Sequence, residues 1–239
     1  MGAILKIFVL LIQTTAILSA LPPLQKCSLE DSDCLKKSAQ AVIPAFIAGV
    51  PEAGVDVLAP AHIPLIKIDL AGLKLTLKES DIVGLEKAVI DSLNFDTGKK
   101  IIHLSFHVAP IALKGKYKAS GRLLILPIEG DGDVTIKIKN LEVDMTMPYD
   151  LIKNEDGKEV IDLKSMKFTY QNRENTHFKL TNLFNGDKNL SDAMHTFMNE
   201  NWSLLSQEFG TPIVDKAVQK VYTSIKLYLR SQPLEDLVI

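Results

Sequence analysis

A long alternation of apolar and polar residues occupies the middle of this chain, and it constrains the fold more than any other feature. Leu73, Leu75 and Leu77 are each followed by a polar residue, and the same spacing returns from Ile102 to Val108. A period of two is that of a β-strand with one buried face. The pattern therefore predicts a series of antiparallel strands between Gly72 and Met147.

Three details of this region predict how the strands are joined. Residues 123–128 are apolar at nearly every position, which predicts a strand covered on both faces. Residues 130–133, Gly-Asp-Gly-Asp, are typical of a turn. The parity of the apolar positions then changes near Lys139-Asn140, which predicts a β-bulge.

Further along, residues 154–157 predict another hairpin turn, and two more strands are predicted around residues 166–170 and 176–180. The pattern becomes helical after Gly186, where Ser191 offers a helix N-cap.

Helices are predicted at both ends of the mature chain. Apolar residues recur at helical spacing from about Asp33 to Ala48, and again from Met194 to the break at residues 210–212. The spacing then continues until Pro233 ends it. The most economical fold class is α+β, with a long C-terminal helix held against a curved antiparallel β-sheet.

The N-terminus predicts a secreted, extracellular protein. Residues 1–20 combine Lys6, an apolar stretch and the small residues Ser19 and Ala20, as a signal peptide does. The remainder, residues 21–239, is predicted to form a single domain. Lys plus Arg (27) nearly balance Asp plus Glu (29), for a formal net charge of −2, so nothing favours binding to nucleic acid. We also expect no stable membrane insertion.

The two cysteines and two asparagines agree with that compartment. Cys27 and Cys34 are the only cysteines, and we expect them to form a disulfide outside the cell, because CxxC spacing and companion metal ligands are both absent. Asn189 and Asn201 each begin a glycosylation triplet, of which we expect at most one to be occupied.

No catalytic, metal or cofactor motif is found in the sequence. There is no nucleophile elbow, Walker sequence or dinucleotide fingerprint. His103 and His107 would stand about 13 Å apart on one strand, too far to share an ion. The acids at 129, 131, 133 and 142 resemble a calcium loop but lack its glycine, so they are interpreted as solvated side chains at a hairpin turn. We therefore predict a protein that is not an enzyme.

What remains is a surplus of apolar positions, several of them large and adaptable. The periodicity fits a filled core and a hollow one equally, because the same residues would line either.

Several blocks of sequence resemble one known family. They occur in order after the cysteine pair: residues 49–52 (GVPE), 72–77 (GLKLTL), 114–121 (KGKYKASG), 124–132 (LILPIEGDG), 183–188 (LFNGDK) and 197–202 (FMNENW). In this arrangement the chain resembles the secreted insect takeout proteins and haemolymph juvenile-hormone-binding proteins, over about residues 24–236. With a single cysteine pair it is more similar to the takeout branch.

The resemblance implies a long C-terminal helix wrapped by a highly curved antiparallel β-sheet, with an elongated apolar tunnel between them. It implies a carrier of a hydrophobic small molecule, such as a juvenile-hormone-like terpenoid, a fatty-acid-like or an odorant-like ligand. We expect a monomer without a cofactor, in which Tyr117 or Tyr170 could hydrogen-bond a polar ligand end. The candidate wall residues are Phe46, Ile66, Leu75, Leu104, Phe106, Leu113, Tyr117, Ile125, Met145, Phe168, Tyr170, Phe178, Phe197, Trp202, Val221 and Ile225.

The alternative hypothesis is a ligand-free secreted module that binds a receptor or a membrane surface. An exposed apolar or basic patch would favour it. On the C-terminal helix, however, the basic residues are interleaved with Asp215, Gln219 and Thr223, as on an ordinary solvated face.

Overall fold

The structure is a computed structural model that describes residues 25–239. The predicted signal peptide lies outside the described residues. Within them, no helix is both long enough and apolar enough to span a bilayer.

The described chain has ten strands and five α-helices, with a helical segment at each end of the strand series. The helices are α1 (Ser32–Ile47), α2 (Lys188–Glu200), α3 (Trp202–Phe209), α4 (Thr211–Ser231) and α5 (Leu234–Leu237). The strands are β1 (Ala61–Leu70), β2 (Leu73–Val83), β3 (Ala88–Asp96), β4 (Ile101–Val108), β5 (Ile111–Leu123), β6 (Leu126–Ile138), β7 (Leu141–Lys153), β8 (Glu159–Leu163), β9 (Lys167–Asn172) and β10 (Thr176–Leu180).

The strands form two antiparallel, curved sheets. The first has the order β1-β2-β5-β6-β10, and the second has the order β3-β4-β7-β8. Strand β9 also belongs to the second sheet, where it pairs with the first half of β7 while β8 pairs with the second half. Consecutive hairpins alternate between the sheets: β1–β2 and β5–β6 belong to the first sheet, and β3–β4 belongs to the second. The connections between these hairpins therefore cross from one sheet to the other.

Helix α4 closes the space between the sheets, since it packs on β1 of the first sheet and β8 of the second. Val214 and Val218 are buried on its inner face. The α+β prediction, with a long C-terminal helix against a curved antiparallel sheet, is therefore confirmed.

Three predicted connections are wrong. Lys139 and Asn140 form no bulge: they link β6 to β7, and the parity changes there because the chain passes between sheets. Residues 130–133 lie inside β6, where Gly130 pairs with Ala119 and Gly132 with Tyr117. The acids at 129, 131 and 133 therefore lie along a strand instead of at a turn.

Residues 123–128 do not form one strand covered on both faces. Leu124 and Ile125 make the two-residue turn between β5 and β6. A continuous apolar run cannot by itself distinguish a doubly buried strand from two strand ends joined by an apolar turn.

The helix ends are set by acidic caps. The Asp31 carboxylate accepts a hydrogen bond from the Cys34 amide at 2.9 Å and begins α1. The Asp187 carboxylate accepts one from the Leu190 amide at 3.0 Å and begins α2, so Ser191 is not the N-cap. The break at residues 210–212 is confirmed, because α3 ends at Phe209 and α4 begins at Thr211.

Candidate functional site

An apolar cavity of about 230 Å³, here called the first cavity, lies between α1, the second sheet and the C-terminal half of α4. The strand and the helix each contribute side chains to the cavity wall at the spacing of their own secondary structure. Strand β4 contributes Ile102, Leu104 and Phe106, which alternate with solvent-facing residues, and α4 contributes Val221 and Ile225, one turn apart. The remaining wall includes Ala39, Ile43 and Phe46 of α1 and Ile90, Leu93 and Phe95 of β3.

Residues near both ends of the described chain line the first cavity. Leu29, Leu237 and Val238 belong to its wall. The Cys27 amide donates to the Leu237 carbonyl at 3.2 Å, and the Cys27–Cys34 disulfide, confirmed here, ties this loop to α1. The N-terminal disulfide loop and the C-terminal residues therefore form one joined cap.

A second apolar cavity of about 100 Å³ lies between the first sheet, β9, α3 and the start of α4. Its wall includes Leu73, Leu75, Ala119, Leu123 and Ile128 from the sheet. Phe178 of the edge strand β10 also lines it, and the other elements contribute Tyr170, Met198, Leu205, Phe209 and Val214.

The two cavities follow one another along α4. Val214 lines the second cavity, whereas Val221 and Ile225 line the first. Val218 lies between them on the same helix face, is buried, and lines neither cavity. The site is thus elongated along the helix and divided by packed side chains.

One polar group in the wall of the second cavity, the Tyr170 hydroxyl, is engaged by the protein, whereas the buried Asn172 Oδ1 of the same wall has no hydrogen-bond partner among the described residues. The Tyr170 hydroxyl contacts the Ser206 carbonyl and the Thr211 hydroxyl, both at 3.2 Å. Burial raises the pKa of Tyr228, which lines the first cavity, above its usual value, so the wall favours the neutral phenol. These walls supply apolar contact and no ionised group.

Two of the histidines, His195 and His107, have structural partners. His195 accepts from the Leu180 amide through Nε2 at 3.0 Å and donates through Nδ1 to the Ser191 carbonyl at 2.8 Å, which joins α2 to β10. His107 pairs with Asp91 at 2.9 Å. Residues 25–239 contain no cluster of three or more His, Cys, Asp or Glu side chains that could hold a metal ion.

Of the predicted wall residues, eight line a cavity. The first cavity has Phe46, Leu104, Phe106, Val221 and Ile225, and the second has Leu75, Tyr170 and Phe178. The other eight lie outside both walls: Ile66, Leu113, Tyr117 and Met145 are buried in the core, and Ile125, Phe168, Phe197 and Trp202 are only partly buried or exposed.

Ile125 stands apart, because it is 83% exposed at the β5–β6 turn. Tyr117 is buried and its hydroxyl donates to the Thr181 carbonyl at 2.7 Å, so it lies away from both cavities.

Sequence reasoning missed the contributions of β3 and of α1 other than Phe46. The alternation on β3 is interrupted, since its pairing with β4 shifts register between Ile90 and Ser92. The side chains of Ile90, Leu93 and Phe95 therefore face the cavity although their spacing is not a strict period of two. On α1, the helical spacing of Ala39, Ile43 and Phe46 was a usable signal.

The two asparagines of the glycosylation triplets differ in access. Asn189 is exposed in the first turn of α2. The Asn201 amide nitrogen, the atom a glycan would occupy, donates to the Phe197 carbonyl at 2.8 Å. Occupancy at either site stays a prediction, and the geometry favours Asn189.

Comparison with known proteins gives consistent similarities. Residues 7–239 match the family described as haemolymph juvenile hormone binding protein. The chain is 28% identical over 214 residues to the circadian clock-controlled protein daywake of Drosophila melanogaster, covering 85% of this chain and 82% of that protein. The daywake protein of Drosophila yakuba is 27% identical, with the same coverage. The crystal structure of Takeout 1 from Epiphyas postvittana superposes with a TM-score of 0.86 at 41% identity, covering 89% of this chain and 98% of that one.

Proposed function

Because the chain belongs to the haemolymph juvenile hormone binding protein family, we propose that it is a secreted carrier that holds a hydrophobic small molecule inside its fold without transforming it. The observation that carries the proposal is the first cavity, which is about 230 Å³ in volume and lined almost entirely by apolar side chains. Such a wall favours an apolar ligand through the area it removes from water.

The shape of the site supports an elongated ligand. The two cavities lie in line along α4, from Val214 to Ile225, a rise of about 17 Å. A terpenoid or fatty-acid-like chain fits this arrangement better than a compact ring system. Since no cationic side chain lines either cavity, a ligand carboxylate would remain at an opening toward water.

Secretion is part of the proposal. It rests on the signal-peptide pattern of residues 1–20 and on the Cys27–Cys34 disulfide, since disulfides persist in oxidising compartments. The family is one of ligand-binding proteins, which supports a non-catalytic role.

The alternative, a ligand-free interaction module, gains little from α4. Leu227 is the large apolar side chain that this helix exposes, and a single such residue is ordinary on a soluble surface.

Native mass spectrometry of the secreted protein, followed by organic extraction, tests the carrier function. We expect a discrete extra mass that extraction removes and that identifies the ligand class. A clean apo mass, together with no uptake of juvenile hormone or long-chain fatty acids in competition assays, would favour the interaction module.

Two matched substitutions test which cavity holds the ligand. Ala39→Phe fills the first cavity from α1, and Ala119→Phe fills the second from β5. We expect Ala39→Phe to lower affinity for dansyl-labelled undecanoic acid about tenfold or more, through lost apolar contact, and Ala119→Phe to have the smaller effect. Variants are compared only where thermal unfolding stays cooperative.

A further inference from the structure

The turn between β5 and β6 consists of two large apolar residues, although two-residue turns usually contain glycine, asparagine or aspartate. Leu124 and Ile125 form a two-residue turn in which Leu124 has a φ of 56°, a conformation that favours glycine. Ile125, the next residue, is 83% exposed. Backbone strain costs stability, and an exposed large apolar side chain contributes none through burial, so their coincidence points to a use for this turn.

A second apolar turn lies against the first. The β1–β2 turn exposes Leu70 to 45%, and its Gly72 carbonyl accepts a hydrogen bond from the Arg122 amide at 3.0 Å. Gly121 permits this approach: a Cβ built there would lie 2.2 Å from the Gly72 oxygen. Residues 70–72 and 123–127 therefore form one surface, which we call the hairpin tip.

The hairpin tip is continuous with the second cavity. Leu123 of the tip lines that cavity, and so do Leu73 and Ile128, which directly follow the two tip segments. The exposed Ile125 is thus two residues from the cavity wall at Leu123. Apolar residues therefore continue along the chain from the exposed turn to the cavity wall.

The charges behind the tip balance. One row across four strands places Asp69 opposite Lys74, Lys74 opposite Ser120, and Ser120 opposite Glu129. With Arg122 in the adjoining row, two positive charges face two negative ones. The tip therefore has no net electrostatic preference for an anionic or a cationic surface.

From this arrangement we propose that the hairpin tip touches the surface of a lipid bilayer reversibly, and that ligand passes there between the bilayer and the second cavity. Contact with the bilayer stands on the tip alone, whereas ligand passage rests on the proposed carrier function. A bilayer suits this surface because a convex tip of two exposed apolar side chains can enter an interface that deforms around it, while a protein partner would need a complementary pocket.

The experiment uses the delipidated protein with phosphatidylcholine vesicles and with vesicles that also contain phosphatidylserine, at low and high salt. Flotation without any ligand reports contact, and transfer of dansyl-labelled undecanoic acid from vesicle to protein reports passage. Ile125→Asp is compared with Val57→Asp, which changes another exposed apolar residue next to Leu58 of the first cavity.

We expect Ile125→Asp to lower both flotation and transfer rate about tenfold, from the lost burial of one aliphatic side chain. Val57→Asp should leave both unchanged, and vesicle charge and salt should have little effect. Ile125→Trp, in a chain whose natural tryptophan is Trp202 alone, should add a blue-shifted emission on vesicles.

Equal flotation of Ile125→Asp and the unsubstituted protein would overturn the proposal. A dimer in sedimentation that Ile125→Asp dissociates would overturn it too, since the tip would then bind a second copy. Normal flotation with no ligand uptake in any assay would leave the bilayer contact standing and reject the carrier function.

Discussion

Tyr117 and Tyr170 both carry hydroxyl groups that the sequence suggests for a polar ligand end, and both donate them to the protein's own backbone. The Tyr117 hydroxyl bonds to the Thr181 carbonyl, and the Tyr170 hydroxyl to the Ser206 carbonyl. A buried phenol needs such a partner, because an unpaired one would lose its hydrogen bond to water. These two tyrosine hydroxyls therefore join segments of the chain that are distant in sequence.

Tyr117→Phe should lower the free energy of unfolding by about 1 kcal/mol at neutral pH, because the Thr181 carbonyl loses its donor. Burial, and then Asp131, raises the pKa of Tyr117 to about 12. Between about pH 10 and pH 12 the unfolded tyrosine ionises while the folded one does not, so its stabilising contribution falls as the pH rises through this window.

Urea unfolding of both proteins between neutral pH and pH 11 checks this prediction. The stability difference between the native protein and the phenylalanine variant should shrink above pH 10. A difference independent of pH would contradict the assigned burial of the Tyr117 hydroxyl.

At the scale of elements, one carboxylate of β8 forms ion pairs with α4 beside their apolar packing. The Asp162 side chain is 13% exposed and lies 2.9 Å from Lys164 Nζ, and 3.7 Å from both Lys226 Nζ and Arg230 Nε of α4. The hydrogen bond from Lys164 and the positive charges of Lys226 and Arg230 hold the pKa of Asp162 below its usual value, against the opposing effect of burial. One acid therefore joins the second sheet to the helix that lines both cavities.

Asp162→Asn should lower the free energy of unfolding by about 1 kcal/mol at neutral pH, because the charged hydrogen bond and ion pairs are lost. A lowered folded pKa contributes stability above the unfolded pKa and loses it as the pH falls, so the difference should begin to shrink near pH 4 and continue to shrink as the pH falls through the lowered folded pKa. Asp150→Asn is the matched control, since Asp150 also contacts Lys164, at 3.4 Å, but is about half exposed.

Chemical unfolding at neutral pH and at pH 3 measures both variants. A loss for Asp150→Asn as large as for Asp162→Asn would contradict the assignment of Asp162 as the link to α4.

At the scale of the whole molecule, the position of the cavities follows from how α4 meets the two sheets. Helix α4 contacts an edge strand of each sheet, β1 and β8. Along its inner face, side chains that line a cavity alternate with side chains that pack into the core. Val214 lines the second cavity, Val218 packs into the core, and Val221 lines the first. The two cavities are therefore separated along α4 by about one helical turn, which contains Val218.

Val218→Ala should join the cavities more widely and raise the affinity for palmitic acid relative to octanoic acid, because only the longer chain reaches both. Loss of two buried methyl groups should also cost about 2 kcal/mol of stability. Val160→Ala, a buried valine of β8 that lines neither cavity, is the control for that cost.

Displacement of dansyl-labelled undecanoic acid by each fatty acid measures the affinity ratio. A ratio unchanged by Val218→Ala, in a protein that still unfolds cooperatively, would contradict the role of Val218 as the divider.

Sequence pattern predicted most elements, and its failures have identifiable causes. The strict alternation of Ile102, Leu104 and Phe106 was enough to define β4, whereas the register shift between Ile90 and Ser92 concealed β3. The turn at Leu124 was missed because leucine rarely takes a positive φ, so no turn residue marked it. Local signals identify an element only where its backbone follows the common geometry.

The candidate site was predicted in part for a related reason. Phe46, Val221 and Ile225 line a cavity, while the equally apolar Met145 is buried in the core and Phe168 packs against it. Periodicity determines which face of a strand or helix leaves water, and the order of the sequence blocks determined the family. Whether a buried side chain meets another side chain or empty space depends on what the opposite sheet and α4 bring to it from distant parts of the chain, so only the tertiary structure decided where the cavities lie.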